Sequence, residues 1–209
     1  MEELVYHFSS SAHLPWILES GELRPGSNKI GGLPLDFLWA TTNPRGSRTS
    51  SAMVGAWKDA WRRGSTRAVR FTLPTEAFTT LPDTLQRFPQ WTNEHVTALK
   101  GSASRFGDSD IEGWRCRAKP LPIGPEIQID TRAYDGDWRP LEGRQAISFG
   151  DMRGVVIDGV VYLSKSSITE SGAAAYTLAE PMPYAAFVEA SGAVLEVARA
   201  DISLPAKQQ

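Results

Sequence analysis

Leu4, Val5, Tyr6, His7 and Phe8 open the chain as an apolar and aromatic run that stops at Ser9, Ser10 and Ser11. Such a run, short and bounded by hydroxyl residues, predicts a strand near the start of a sheet. A helix should follow, because Leu14, Ile17 and Leu18 recur at spacings of three and four and therefore share one face. Ser10 or Ser11 stands where a side-chain oxygen can accept a backbone N–H from its first turn. Gly21 closes the unit, since a helix stop favours the left-handed backbone that glycine adopts without strain.

From Arg24 to Leu35 the breakers Pro25, Gly26, Gly31, Gly32 and Pro34 predict a loop. Phe37 to Thr41 reads as a second strand, and Asn43 to Ser51 as a polar, turn-rich connection. A helix is expected from about Ser50 to Arg62, with Met53, Val54, Trp57 and Trp61 on one face. Ala68 to Leu73 reads as a third strand. Between Pro74 and Pro125 the pattern is weaker: Trp91 to Leu99 suits a helix, and the rest suits an insertion or a mobile connection. Strands are expected at Glu126 to Ile129, Arg153 to Ile157 and Val160 to Leu163, the last two joined by Asp158 and Gly159, a two-residue hairpin signal. Tyr184 to Ala190 and Ala193 to Ala200, separated by Ser191 and Gly192, read as a second hairpin. Mixed helices and strands without regular alternation predict one α+β domain rather than a doubly wound parallel sheet.

Composition narrows the possible partners. At 209 residues, 41% hydrophobic and 22% charged, the chain can bury one sizeable core. Its formal net charge of -2 provides no global attraction for a polyanion, so a nucleic acid would have to be met by a local patch. Such a patch is encoded between Arg45 and Arg70, where Arg45, Arg48, Lys58, Arg62, Arg63, Arg67 and Arg70 are opposed by Asp59 alone. A run of this kind is either a solvated helix face or a surface that meets a pyrophosphate or a nucleic-acid backbone. Trp57 and Trp61 share the apolar helix face and are read as core. The lone Cys116 excludes an internal disulfide framework and a multi-cysteine zinc site. It lies between Arg115 and Arg117, which favours thiolate, but no base is assigned to it. Three histidines leave little for a histidine-rich metal site, and no Walker loop, Gly-x-Gly-x-x-Gly fingerprint or Gly-x-Ser-x-Gly elbow occurs. The opening apolar run is too short for a signal peptide and no membrane-length apolar stretch is present, so a cytoplasmic, membrane-free protein is expected.

The opening unit, an aromatic, His7, Phe8 and Ser9 strand end followed by Leu14-x-x-Ile17-Leu18-x-x-Gly21-x-Leu23, resembles the start of the ADP-ribosyltransferase fold. It is most similar to bacterial members of the His-Tyr-Glu branch, such as DNA-modifying toxins and related RNA 2'-phosphotransferases. The resemblance implies split antiparallel β-sheets with flanking helices and NAD as substrate. It also implies that His7 holds the ribose and the amide end of NAD, with Phe8 backbone and Ser9 beside the nicotinamide. Leu38, Trp39, Ala40, Thr41 and Thr42 are similar to the family's second motif, where an aromatic residue stacks on nicotinamide. That role falls to Trp39, although tyrosine is commoner there, with Thr41 or Thr42 as the alternative cleft-facing side chain. Arg24 and Arg48 are the candidates for pyrophosphate contacts.

Cleavage of a nicotinamide–ribose bond develops positive charge on the sugar, so a carboxylate that binds a ribose hydroxyl lowers the barrier. Glu126, in Gly124-Pro125-Glu126-Ile127, is assigned this role by its order in the chain and by its expected place on a strand, with Glu112 and Glu142 as alternatives. Gly124 occupies the place where arginine-modifying relatives carry Gln or Glu, which points away from protein arginine as acceptor. The expected activity is NAD-dependent ADP-ribosyl transfer, toxin- or effector-like. DNA or RNA would serve as acceptor through the Arg45 to Arg70 segment, and an antitoxin or immunity protein would be a further partner. An NAD glycohydrolase with water as acceptor uses the same groups, and an RNA 2'-phosphotransferase-like enzyme shares the fold. A non-catalytic binding protein on an α+β scaffold is the competing class and would need neither His7 nor Glu126.

Overall fold

The apolar and aromatic run at the start of the chain folds as strand β1 (Leu4–Ser10). A computed structural model describes residues 3–26, 37–46, 55–105, 111–169 and 174–192. Helix α1 (Leu14–Ser20) follows, and it stops at Gly21, whose φ of 69° lets its N–H reach the Ile17 carbonyl. Its start differs from expectation: His13 occupies the cap position with no side-chain cap bond. The serines are engaged elsewhere. Ser10 Oγ pairs with His13 Nδ1 at 2.7 Å, and Ser11 Oγ meets Thr66 Oγ1 at 2.9 Å and accepts the Arg67 N–H. Buried hydroxyls need partners, and here the tertiary partners outcompete the helix end.

After β2 (Glu22–Leu23) come β3 (Leu38–Thr41), α2 (Ala56–Arg62) and β4 (Ala68–Pro74). Met53 and Val54, expected on α2, lie outside the described residues. The segment from Pro74 to Pro125 contributes β5 (Thr79–Thr80), α3 (Leu81–Arg87), α4 (Asn93–Arg105), β6 (Trp114–Arg117) and β7 (Leu121–Pro122). Thr80 caps α3, accepting from the Asp83 N–H, and Pro82 fits its first turn. Strand β8 spans Gln128–Arg132, so the strand expected from Glu126 begins two residues later and Glu126 belongs to the preceding turn. The remaining elements are β9 (Arg139–Pro140), β10 (Ile147–Phe149), β11 (Met152–Ile157), β12 (Val160–Ile168), β13 (Ala174–Leu178), β14 (Met182–Pro183) and α5 (Tyr184–Ser191).

The hairpin between β11 and β12 turns at Asp158 and Gly159, both with positive φ, as their residue types demand. The second expected hairpin is corrected: Tyr184 to Ser191 is helical, and Gly192 ends it in the left-handed conformation. Tyr184, Phe187 and Val188 recur at helical spacing and pack with Val161 and Leu163 of β12, which a strand would not allow on one face. Ala193 to Ala200 lies outside the described residues.

The protein is α+β. Among the described residues, the larger sheet has strand order β5-β6-β3-β1-β4-β8-β9, a second sheet runs β10-β11-β12-β13 with β14 beside β12, and β2 pairs with β7. Every pairing among these described strands is antiparallel. Val5, Leu38, Ala40, Val69, Phe71, Leu73 and Ile129 of the larger sheet pack with Leu14, Leu23, Val155, Ile157 and Tyr162 to form the main core. Burying a side chain such as Phe71 contributes about 2–3 kcal/mol. Because side chains alternate along a strand, Val5, His7 and Ser9 take this core face of β1, while Tyr6 and Phe8 take the other. No helix among the described residues is long and apolar enough to cross a membrane.

Candidate functional site

His7 sits in the middle of β1 opposite Phe71, with the ring centroids 5.9 Å apart. Its Nδ1 lies 2.7 Å from the Trp39 carbonyl oxygen. A carbonyl only accepts, so Nδ1 carries the proton and, in the neutral ring, Nε2 is left as a bare acceptor. Burial lowers the His7 pKa below its ordinary value, opposed by the bond to Trp39, so the ring is neutral near pH 7. The registered β1–β3 pair is Tyr6 with Thr41. Beside it, the imidazole takes the Trp39 carbonyl as its partner.

The other expected cofactor residues are distributed over both faces. Ser9 is buried on the His7 face. Phe8 is buried on the opposite face, against Trp138 and under Gly46. Trp39 offers His7 its carbonyl, whereas its indole belongs to the aromatic group of Phe37, Trp91 and Trp114 on the opposite face. Thr41 is buried and accepts the Asn43 N–H through Oγ1, fixing the turn after β3. Arg24 is exposed and bonds Glu22 at 2.6 Å. Arg48 lies outside the described residues.

The three candidate carboxylates are exposed. Glu126 folds back over Gly124, where an added Cβ would collide with its carboxylate. Ile129, three residues on, shares the partner Phe71 with His7, so β4 separates Glu126 from β1. Glu112 precedes Trp114, which pairs with Thr41, so β3 separates Glu112 from β1. Glu142 lines a shallow cleft with Leu141, Ile157 and Asp158. Among the described residues, no hydrogen bond or ion pair joins any of the three to His7.

A residue that sequence reasoning passed over stands closer to His7. His13 packs against Tyr176 at 4.2 Å and Trp57 at 5.0 Å between ring centroids, with Nδ1 held by Ser10. Burial and then repulsion from His7 push its pKa down to about 4, so the two imidazoles share one electrostatic environment. Burial raises the Tyr176 phenol, partly offset by its bond to Ser166. The signal for this cluster was weak, because His13 stands in a polar turn and Tyr176 arrives from β13.

The basic segment is partly neutralised by folding. Arg70 pairs with buried Asp130 at 2.7 Å, Arg67 bonds the Tyr162 hydroxyl and pairs with Asp158, and Arg62 lies 3.7 Å from Asp59. Arg45 and Arg63 are exposed. Trp61 is buried and Trp57 half-buried, consistent with packing roles. Cys116 is buried in β6, away from solvent. Among the described residues, no cluster of His, Cys, Asp or Glu is arranged to hold a metal. Comparison with family models, curated proteins and solved structures gives no match.

Proposed function

We propose that this protein is an NAD-dependent ADP-ribosyltransferase. The observation that carries the reading is His7: a neutral imidazole on the opening strand, with Nδ1 tied to a backbone carbonyl and Nε2 free to accept. A ribose hydroxyl is a fitting donor to that nitrogen, because an anchored ring binds it with little further loss of freedom. The reaction breaks the bond from the anomeric carbon to nicotinamide. The pyridine nitrogen takes the bonding electrons, and the acceptor's lone pair forms the new bond as its proton leaves. A carboxylate beside the sugar stabilises the positive charge that develops on it. Glu126 remains the candidate from chain order, and Glu112 and Glu142 are alternatives; loading of the substrate would have to draw the chosen group toward His7. The exposed arginines of the Arg45 to Arg70 segment support a nucleic-acid acceptor, with the toxin-like role and its restraining partner following from the same resemblance.

A non-catalytic binding role is the second reading, favoured by the packed indole of Trp39 and by the turn in which Glu126 folds onto Gly124. Labelled NAD incubated with DNA, RNA and lysate separates the two. Wild-type nicotinamide release, lost in His7→Ala and in one of Glu126→Gln, Glu112→Gln or Glu142→Gln with folding intact, supports the transferase. Release with water as the sole acceptor supports the glycohydrolase, and wild-type silence in every mixture supports the binding protein.

A further inference from the structure

Six arginines among the described residues are half-buried: Arg67, Arg70, Arg115, Arg117, Arg132 and Arg153. Five of them donate side-chain hydrogen bonds, to Tyr162, Asp130, the Glu112 carbonyl, the Ala77 carbonyl and Glu19 respectively. Arg132 is the exception. Among the described residues its guanidinium has no hydrogen-bond or ion-pair partner, and its Nε–H is buried without one. This group is nonetheless held in place. Its Cζ lies 4.8 Å from the Trp61 ring centroid and 5.0 Å from that of Trp138. The Trp61 indole N–H also bonds the Arg132 carbonyl at 3.0 Å.

Contacts with aromatic rings engage the face of a guanidinium and leave its in-plane N–H donors for an anion. Drawing such a charge partly out of water with no ion-pair or hydrogen-bond partner is costly, so a fixed guanidinium in this state is an incomplete site. Burial and the neighbouring Arg70 charge both act against the charged form of Arg132, and Asp137 opposes them. Asp130 is already taken, by Arg70 and by the Gln128 amide. The ring that Arg132 packs against carries a second buried donor, because the Trp138 Nε1–H also lacks a partner among the described residues.

We propose that Arg132, with the Trp138 indole N–H, forms a binding site for a phosphoryl group on the sheet face opposite His7. A phosphoryl group supplies two oxygens to the guanidinium fork and a third to the indole, whereas a carboxylate has only two oxygens to offer. The site is independent of the NAD reading, since none of its groups belongs to the His7 surroundings.

Titrations followed by indole fluorescence and calorimetry test it, with inorganic phosphate, adenosine 5'-monophosphate and an unphosphorylated single-stranded oligodeoxynucleotide as probes. The three arms separate a free ion, a nucleotide and a phosphodiester backbone as the source of the group. At least one should bind the wild type, and Arg132→Gln should weaken that binding tenfold or more. Arg132→Lys should recover part of it, because a point charge lacks the fork, and Arg87→Gln, at an exposed arginine ending α3 outside the basic segment, should leave it unchanged. Trp138→Phe, which removes the N–H and keeps an aromatic ring, should weaken binding several-fold and decides the matter should Arg132→Gln fail to fold. The proposal is overturned by absence of binding in all three arms, by wild-type affinity in folded Arg132→Gln or in Trp138→Phe, or by an equal loss in Arg87→Gln.

Discussion

Replacing Arg70 by Met should be among the most damaging single changes in the larger sheet, although Arg70 belongs to the segment that reads as a basic patch. Its partner Asp130 is only 2% exposed, and the Asp130 carboxylate accepts from Arg70 Nη2 at 2.7 Å, Arg70 Nε at 3.2 Å and Gln128 Nε2 at 2.8 Å. Arg70 also lies over Trp138 and Tyr6, at 4.7 and 5.3 Å from the ring centroids, and donates to the Pro44 carbonyl. Truncation strands a buried carboxylate, at a cost of about 3–5 kcal/mol, and the lost ring contacts add roughly 1 kcal/mol. Against a total stability of about 5–15 kcal/mol, that is a large fraction. The pair itself contributes far less than its rupture costs, because both charges were desolvated on folding. Arg70→Met with Asp130→Leu should therefore recover most of the loss. Urea unfolding of the wild type, both single variants and the double variant measures the coupling. A cost below about 1 kcal/mol for Arg70→Met, or additive single losses, would refute the reasoning and return Arg70 to the pool of ligand-binding cations.

Other outcomes follow from the same geometry. His13 titrates at about 4 in the fold against 6.5 as a free side chain, so the unfolded chain binds more protons between those values. Stability should thus be fully present above pH 6.5 and fall by roughly 2–3 kcal/mol as the pH drops toward 4. His13→Gln should flatten that slope in denaturant titrations, and an unchanged slope would contradict the assignment. Gly46 has a φ of 73°, and an added Cβ would stand 3.0 Å from the Phe8 ring, so Gly46→Ala should cost about 1–3 kcal/mol in thermal unfolding. Phe71→Ala should cost about 3–5 kcal/mol, since Phe71 is fully buried between the sheets. A cost near zero in either case would contradict the packing described.

Local chemistry was legible where one residue type decides the backbone. Gly21 ends α1, and Asp158 with Gly159 turns the β11–β12 hairpin, because both sites demand positive φ. Ser191 and Gly192 carry a similar signal, yet Gly192 stops a helix: turn residues say that an element ends, not which kind. The helical spacing of Tyr184, Phe187 and Val188 was the better guide there. Side-chain direction was harder to read. The ring of Trp39 and the imidazole of His7 occupy opposite faces because Tyr6 pairs with Thr41, a register that no local pattern specifies. Charge counting also misled. Arg70 is consumed by a carboxylate sixty residues away, while the unmatched guanidinium is Arg132, outside the basic run.

The central claim is that one His7 nitrogen is reserved for the sugar of NAD, and imidazole ¹⁵N chemical shifts during an NAD titration address it directly. A protonated Nδ1 that stays put while a bare Nε2 shifts on saturation is the predicted result. A protonated Nε2 in the free protein, or two nitrogens that ignore saturating NAD, would contradict it.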